Sequence, residues 1–402
     1  MFTSVIKLSI GVLLPALAAT SSLAGNNSGA AFSQWPGTGL TKCYNDTAEI
    51  TCPAPDQPFY GQDAQYDGPA RSYTKLDDQG NPLPESATSY SMVQDNVTGL
   101  IWEMKTSRNN TMNYSDPHDA DNTYTWCDTN TATNGGNQGF CTINDTEDFI
   151  NQLNTASFGG HADWRLPTMK ELLSLVDYIH SVPTIDPVFA STTQSNNYWS
   201  STTYAAFTSA AWSVSFLDGA DTGAFKINFS FVRAVRGGQT PVTNRFVDNG
   251  DTVTDTVTCL QWQKATMDTN GIAGPDLYNW QQALAASENL SLAGHSDWRL
   301  PDIMEMKPLV DFSRYYPPVP AIAPVFESTT RSDYSYWSST TYAGDFRNAW
   351  IFSYDRGHRF NDSYSIKSGV GYVRAVRSGN CSELFPWELF MPAINHKHDV
   401  VK

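Results

Sequence analysis

"HADWRLPTMKELLSLVD" (His161 to Asp177) and "HSDWRLPDIMEMKPLVD" (His295 to Asp311) stand in one chain, with Asp-Trp-Arg-Leu-Pro kept letter for letter. An active site rarely needs two copies in one chain. A repeated fold does, because each copy must build its own core. The stretch also carries secondary-structure signals of its own. Thr168 followed by Glu171, and Asp302 followed by Glu305, are capping boxes that start a helix. Pro167 and Pro301 force an extended approach to each cap. Leu172, Leu175, Val176 and Ile179 then fall on one apolar helical face. Pro308 predicts that the second version of this helix is kinked or short.

The match extends outward from this block. "NVTGLIWEMK" (Asn96 to Lys105) corresponds to "TVTCLQWQKA" (Thr256 to Ala265), and "YTWC" at Tyr124 to "YNWQ" at Tyr278. Then come "YWSSTTYA" at Tyr198 and Tyr336, "AAWSVSF" against "NAWIFSY", and "FVRAVRGG" against "YVRAVRSG". The order is constant, so a domain of roughly 140 residues, an ordinary domain size, is duplicated. An earlier helix is expected around Asp148 to Thr155 and again around Gln281 to Ser287. Elsewhere apolar residues alternate with period two: Trp212, Val214 and Phe216, then Phe225, Ile227 and Phe229, and Trp350, Phe352 and Tyr354 in the second copy. Val232, Ala234 and Arg236 would share one face of a closing strand, with Arg233 and Val235 on the other. Each copy therefore reads as an α+β unit of two helices and a twisted antiparallel sheet.

These signals divide the chain into five parts. Residues 1–24 read as a signal peptide: Lys7 closes a short n-region, Leu8 to Ala19 is apolar, and Ser22-Leu23-Ala24 offers small residues for cleavage. The alternative is an N-terminal anchor that stays on. Residues 25–88 form a loop-rich region, 89–239 and 240–381 the two copies, and 382–402 a tail containing His396-Lys397-His398. "NTATNGGNQGF" (Asn130 to Phe140) is a polar insertion confined to the first copy.

Six Cys in an exported chain should pair. Local spacing favours Cys43 with Cys52, Cys127 with Cys141, and Cys259 with Cys381. The net charge of −16 argues against nucleic acid or an anionic membrane as the partner. An aromatic share of 13% suits β-rich or ligand-binding surfaces better than helical bundles.

The ordered blocks resemble the Lcl C-terminal domain family, named after a Legionella collagen-like adhesin. The residues that carry the resemblance are Thr98 to Trp102, Asp163 to Thr168, Glu171-Leu172, Tyr198 to Thr202 and Val232 to Arg236. The second copy repeats them at Leu260 to Trp262, Asp297 to Pro301, Tyr336 to Thr340 and Val373 to Arg377. The resemblance implies two tandem domains related to C-type-lectin-like and formylglycine-generating-enzyme-like folds, and it implies surface recognition. The oxidase chemistry of the latter is not carried over, because its C-terminal active-site cysteines have no counterpart here.

Three sets of residues compete for a role. Asp163, Trp164 and Arg165, with Asp297, Trp298 and Arg299, read better as structure than as a ligand site: a buried Trp flanked by charges that find partners inside the domain, Arg236 and Arg377 among them. Tyr198, Trp199, Trp212, Tyr336, Trp337 and Trp350 have two readings. They could stack sugars with help from the flanking hydroxyls, or they could be core rings on a strand. Asp248, Asp251 and Asp255 could hold calcium, although Asn249-Gly250 between acidic residues is more often a plain hairpin. The chain contains no G-x-S-x-G, H-E-x-x-H or P-loop pattern. The expectation is an exported, non-catalytic binding protein or adhesin without a required cofactor, recognising a glycan or other surface polymer. An envelope component that binds a protein partner is the alternative, and a polysaccharide hydrolase stands third.

Overall fold

The computed structural model describes residues 35–66, 68–180, 182–238, 245–268, 276–315, 320–326, 335–354 and 362–379. The signal peptide 1–24, the tail 382–402 and Cys381, the expected partner of Cys259, lie outside the described residues.

The chain enters through a two-stranded ribbon, β1 (Cys43–Tyr44) and β2 (Glu49–Ile50), clamped by the Cys43–Cys52 disulfide. The next strand, β3 (Tyr73–Leu76), already belongs to the first copy. It pairs with β4 (Met92–Asp95), which pairs with β5 (Ile101–Glu103), and β9 (Val235–Arg236) closes that sheet. A second antiparallel sheet holds β6 (Asn197–Thr203), β7 (Ala210–Ser215) and β8 (Asp221–Phe225). The second copy repeats both sheets. One runs β10 (Phe246–Asp248), β11 (Thr252–Asp255), β12 (Leu260–Gln263) and β16 (Val376–Ser378), and the other β13 (Tyr336–Thr341), β14 (Asn348–Phe352) and β15 (Asp362–Ile366). The fold is α+β, but each copy has two sheets where one was expected. In the first copy β3 lies upstream of the expected start at 89 and pairs with β4 as β10 pairs with β11.

The helices follow their caps. In the first copy α1 (Thr146–Thr155) starts where Asp145 accepts from the Glu147 and Asp148 amides. Next, α2 (Met169–Ser174) begins with the Thr168–Glu171 box, and α3 (Pro187–Ala190) is a single turn. In the second copy α4 (Trp280–Glu288) is followed by α5 (Ile303–Met306), opened by the Asp302–Glu305 box. At Pro308 the chain passes into a 3-10 turn, Lys307–Leu309, since proline supplies no amide to continue the α ladder. The helix α2 is shorter than its apolar face suggested: Leu172, Leu175 and Val176 are buried, but Ile179 lies beyond the helix and is 45% exposed.

The copies pack through a reciprocal contact. Tyr178 of the first meets the Trp350 ring of the second at 4.7 Å, and Phe312 of the second meets Trp212 of the first at 5.5 Å. Tyr178 and Phe312 are equivalent positions, as are Trp212 and Trp350, so the interface is the intrachain version of an isologous dimer contact. One apolar core runs through both copies, and each copy keeps a smaller core of its own beneath α1 or α4.

Candidate functional site

All six rings considered for sugar stacking are interior. Tyr198, Trp199, Trp212, Tyr336, Trp337 and Trp350 are at most 4% exposed. The indole nitrogens of Trp199 and Trp337 serve the fold, while those of Trp212 and Trp350 are buried without a hydrogen-bond partner among the described residues. Trp199 Nε1 donates to Tyr124 O and Trp337 Nε1 to Tyr278 O, each at 2.8 Å. The neighbouring hydroxyls of Ser200 and Ser338 donate across the sheet to Trp212 O and Trp350 O at 2.7 and 2.8 Å. A ring with no free face cannot stack a sugar, so the aromatic-platform reading of these residues is corrected.

The Asp-Trp-Arg blocks divide their charges between two partners. Asp163 takes Arg236 at 2.8 Å and Asp297 takes Arg377 at 2.7 Å. Arg165 forks onto both oxygens of Glu171, at 2.7 and 2.8 Å, and also donates to Gly237 O. Arg299 forks onto Glu305 in the same way. Trp164 and Trp298 lie buried between these pairs. The same glutamate thus caps the helix and holds the arginine, which ties the helix entry to the closing strand.

The acidic hairpin is spoken for as well. Asp248 binds Lys264 Nζ at 2.6 Å, and buried Asp255 binds Arg245 Nη2 at 2.7 Å. Asp248 and Asp255 are thus held by separate cations rather than gathered around a vacant centre, so the calcium loop of Asp248, Asp251 and Asp255 is not assembled. Among the described residues one other group has ligand-like proximity, Cys127, Cys141 and Asp145, but its two sulfurs are joined in a disulfide and are not thiolates.

One open feature of the described residues is a groove of about 940 Å³ in the first copy, between α1, the Arg165–Thr168 approach and the end of β6. Its shape comes from a bulge. The β6–β7 register shifts between Trp199 and Thr203, which turns Ser201, Thr202 and Thr203 toward the groove. Arg165 and Thr168 form one wall, Glu147 and Ile150 of α1 another, and Phe312 of the second copy closes one end.

Beneath this groove sits a lysine whose orientation the alternation misassigned. Phe225, Ile227 and Phe229 are 57 to 62% exposed, while Lys226 between them is 2% exposed. Its ammonium lies 3.7 Å from the Trp126 ring centroid and donates to Asn134 O, Asn137 O and Thr203 Oγ1. Both carbonyls belong to the polar insertion clamped by Cys127–Cys141. Burial lowers this lysine to about 8. Lys367 repeats the arrangement over Trp280 at 3.9 Å, and burial lowers it to about 7. Its capping carbonyl is Asn45 O, from the Cys43–Cys52 ribbon. The two lysines recur in register at Lys226 and Lys367, which was the available sequence signal. Arg233 and Arg374 are among the other buried cations that were missed. Arg233 donates to Glu103 O and Thr193 Oγ1, and Arg374 to Gln263 O and Lys264 O, so the closing segment is buried on both faces.

The Lcl C-terminal domain family model matches residues 91–236 and again 251–377. The chain belongs to this family. It carries two tandem Lcl C-terminal domains that hold the same Asp-Trp-Arg, capping-box and lysine-over-tryptophan contacts, and the open groove lies in the first. No curated protein matches the chain.

Proposed function

We propose that this chain is an exported, non-catalytic binding protein of adhesin type whose ligand site is the groove of its first Lcl C-terminal domain. The observation that carries this reading is the contrast in β6 and β13: Ser201, Thr202 and Thr203 are partly exposed beside a groove, while Ser339, Thr340 and Thr341 are covered. The two disulfides suit an oxidising compartment, periplasmic, cell-surface or secreted. No described helix is long and apolar enough to cross a membrane. The basic groups at the groove are already engaged, Arg165 by Glu171 and Lys226 by carbonyls, and the carboxylates of Glu147 and Asp128 accept from the Thr129 and Thr133 hydroxyls, which supports binding over acid–base chemistry. The C-type-lectin-like kinship is part of the same proposal, and a surface polymer, glycan or protein, is the ligand it implies.

The test is binding of the mature chain to arrayed glycans and immobilised surface proteins, compared with an Ala205→Trp variant that fills the groove. Binding is expected, lost in the variant and unchanged by a calcium chelator, because Asp248 and Asp255 are tied to Lys264 and Arg245. Binding that Ala205→Trp leaves intact would sink the assignment of the site.

A further inference from the structure

The equivalent groove of the second copy is occupied by the chain itself. Residues 59–66, "FYGQDAQY", lie across it, with the short 3-10 turn Asp63–Gln65 packed on β13. Each contact falls on a residue whose first-copy counterpart lines the open groove or sits beside it. Asp63 Oδ2 accepts from Thr340 Oγ1 at 2.7 Å, and Thr340 corresponds to Thr202. The Tyr66 ring lies 5.0 Å from the Arg299 guanidinium, and Arg299 corresponds to Arg165. Phe59 packs on Trp280, the counterpart of Trp126. Upstream, Tyr44 stacks on Phe346, the counterpart of Thr208.

The supports beneath these contacts match as well. Thr340 Oγ1 accepts from the Ile303 amide at 3.0 Å, leaving its proton for Asp63; Thr202 Oγ1 accepts from the Met169 amide at 2.9 Å in the same way. The lysine caps differ in origin. In the second copy the Cys43–Cys52 ribbon covers Lys367, while in the first the Cys127–Cys141 insertion covers Lys226. The insertion therefore replaces the ribbon, and the part of the first groove left open is the part that residues 59–66 fill in the second.

We propose that the groove of the first copy takes a peptide segment bearing a carboxylate between aromatic side chains, seated as Phe59–Tyr66 is seated in the second. This rests on the groove being the binding site. The carboxylate accepts from Thr202, and an aromatic ring lies over Arg165. Two differences set the preference. Asp63 lies beside the carboxylates of Asp302 and Glu305, whereas an incoming carboxylate in the first copy meets Thr168 in place of Asp302. Tyr66 donates its hydroxyl to Glu288, but the corresponding Asn154 is bound to the Trp164 backbone at 2.8 and 2.9 Å. Phenylalanine therefore serves as well as tyrosine there.

The probe is a labelled synthetic peptide of residues 56–68 of this chain, titrated by fluorescence anisotropy into the full mature protein. The range extends to about millimolar, because a tethered segment needs no higher affinity to stay docked. Saturable binding at one peptide per chain is expected. It should weaken at least about tenfold when the peptide's Asp63 is replaced by Ala, which removes the acceptor, or the protein carries Thr202→Val, and Thr202→Ser should restore it. The inference is overturned by no saturable binding, by equal binding of the Ala peptide, or by indifference to Thr202→Val. A protein that ignores the peptide but loses its surface ligand through Ala205→Trp defeats the peptide inference and leaves the groove as the site. One whose surface binding survives Ala205→Trp defeats both.

Discussion

Two strands with nearly the same sequence meet different surroundings. In β6, "YWSSTT" keeps Tyr198, Trp199 and Ser200 inside and exposes part of Ser201, Thr202 and Thr203; in β13 all six residues are buried. The bulge, the tryptophan hydrogen bonds and the lysine below are the same. What differs is the neighbour. The segment ending at Tyr66 covers the second copy and leaves the first uncovered. A repeat fixes the frame of a site, and its accessibility depends on chain that lies outside the repeat.

The largest expected effect comes from a buried charge network that only the first copy has. Glu103, fully buried, binds Lys105 at 3.0 Å and His118 at 2.9 Å. Burial pushes this carboxyl up, but Lys105 and His118 more than offset it and hold it below the usual range. The second copy has Gln263 at this position, accepting from the same backbone amide at Ala375. Glu103→Ala should strand Lys105 and cost about 3–5 kcal/mol in denaturant unfolding. A cost below about 1 kcal/mol would mean that the network contributes little.

Next are the two disulfide loops. Removing Cys127–Cys141 or Cys43–Cys52 by paired Ser substitution should each cost about 3 kcal/mol. The sites of damage should differ, which sharpens the comparison. Losing Cys43–Cys52 should raise hydrogen exchange around Lys367, far along the chain, and leave Lys226 unchanged. Equal loosening of both copies would contradict the separate caps.

The third is a pH effect confined to the second copy. Burial raises Asp63 to about 6, partly offset by hydrogen bonds from Thr340 and Thr38, with Glu305 opposing and Arg299 favouring ionisation. Asp302 beside it is also raised, by burial and then by Glu305 and Asp63. An acid whose docked value is raised binds more protons docked than free. Docking is therefore strongest near pH 4 and weakens as pH climbs through about 6. Exchange of the amides of residues 59–66 should be at least about tenfold faster at pH 8 than at pH 5 after correction for intrinsic rates, since one unit of separation is tenfold in the equilibrium. Asp63→Asn should flatten this dependence. Stronger protection at the higher pH would reverse the sign and refute the burial argument.

The smallest effect concerns the two recurring aspartates. Asp163 and Asp297 pair with Arg236 and Arg377, yet their side chains remain 57% and 59% exposed. Alanine at either should cost no more than about 1 kcal/mol. The two losses should also match, because this feature does not distinguish the copies.

What the sequence disclosed was local. The capping boxes, the break at Pro308, the helix before each Asp-Trp-Arg block and two cysteine pairings all depend on residues close along the chain. The misreadings arose where one residue's role depends on distant partners. Alternation through Phe225, Ile227 and Phe229 suggested an inward apolar face, but the Trp126 ring and the insertion carbonyls make Lys226 the inward side chain, its stem covered and its charge satisfied. Tyr198 and Trp199 could be placed on a strand but not on a side, because both of their faces are covered by elements that arrive later. The groove was invisible for the same reason: it is a gap left where a distant segment does not reach.

Residues 35–66 come before the first copy in the chain but come to rest on the second, and β3 follows them directly into the first. Synthesis runs from the N-terminus, so this segment emerges first and must wait for α4, β13 and Lys367 before it has anything to lie on. Its docking closes a loop of more than two hundred residues, from Asp63 to Thr340, and makes it one of the last long-range contacts to form. A chain cut between the copies would thus release two damaged halves: one trailing an acidic, aromatic strap with nowhere to lie, and one with a second groove newly opened.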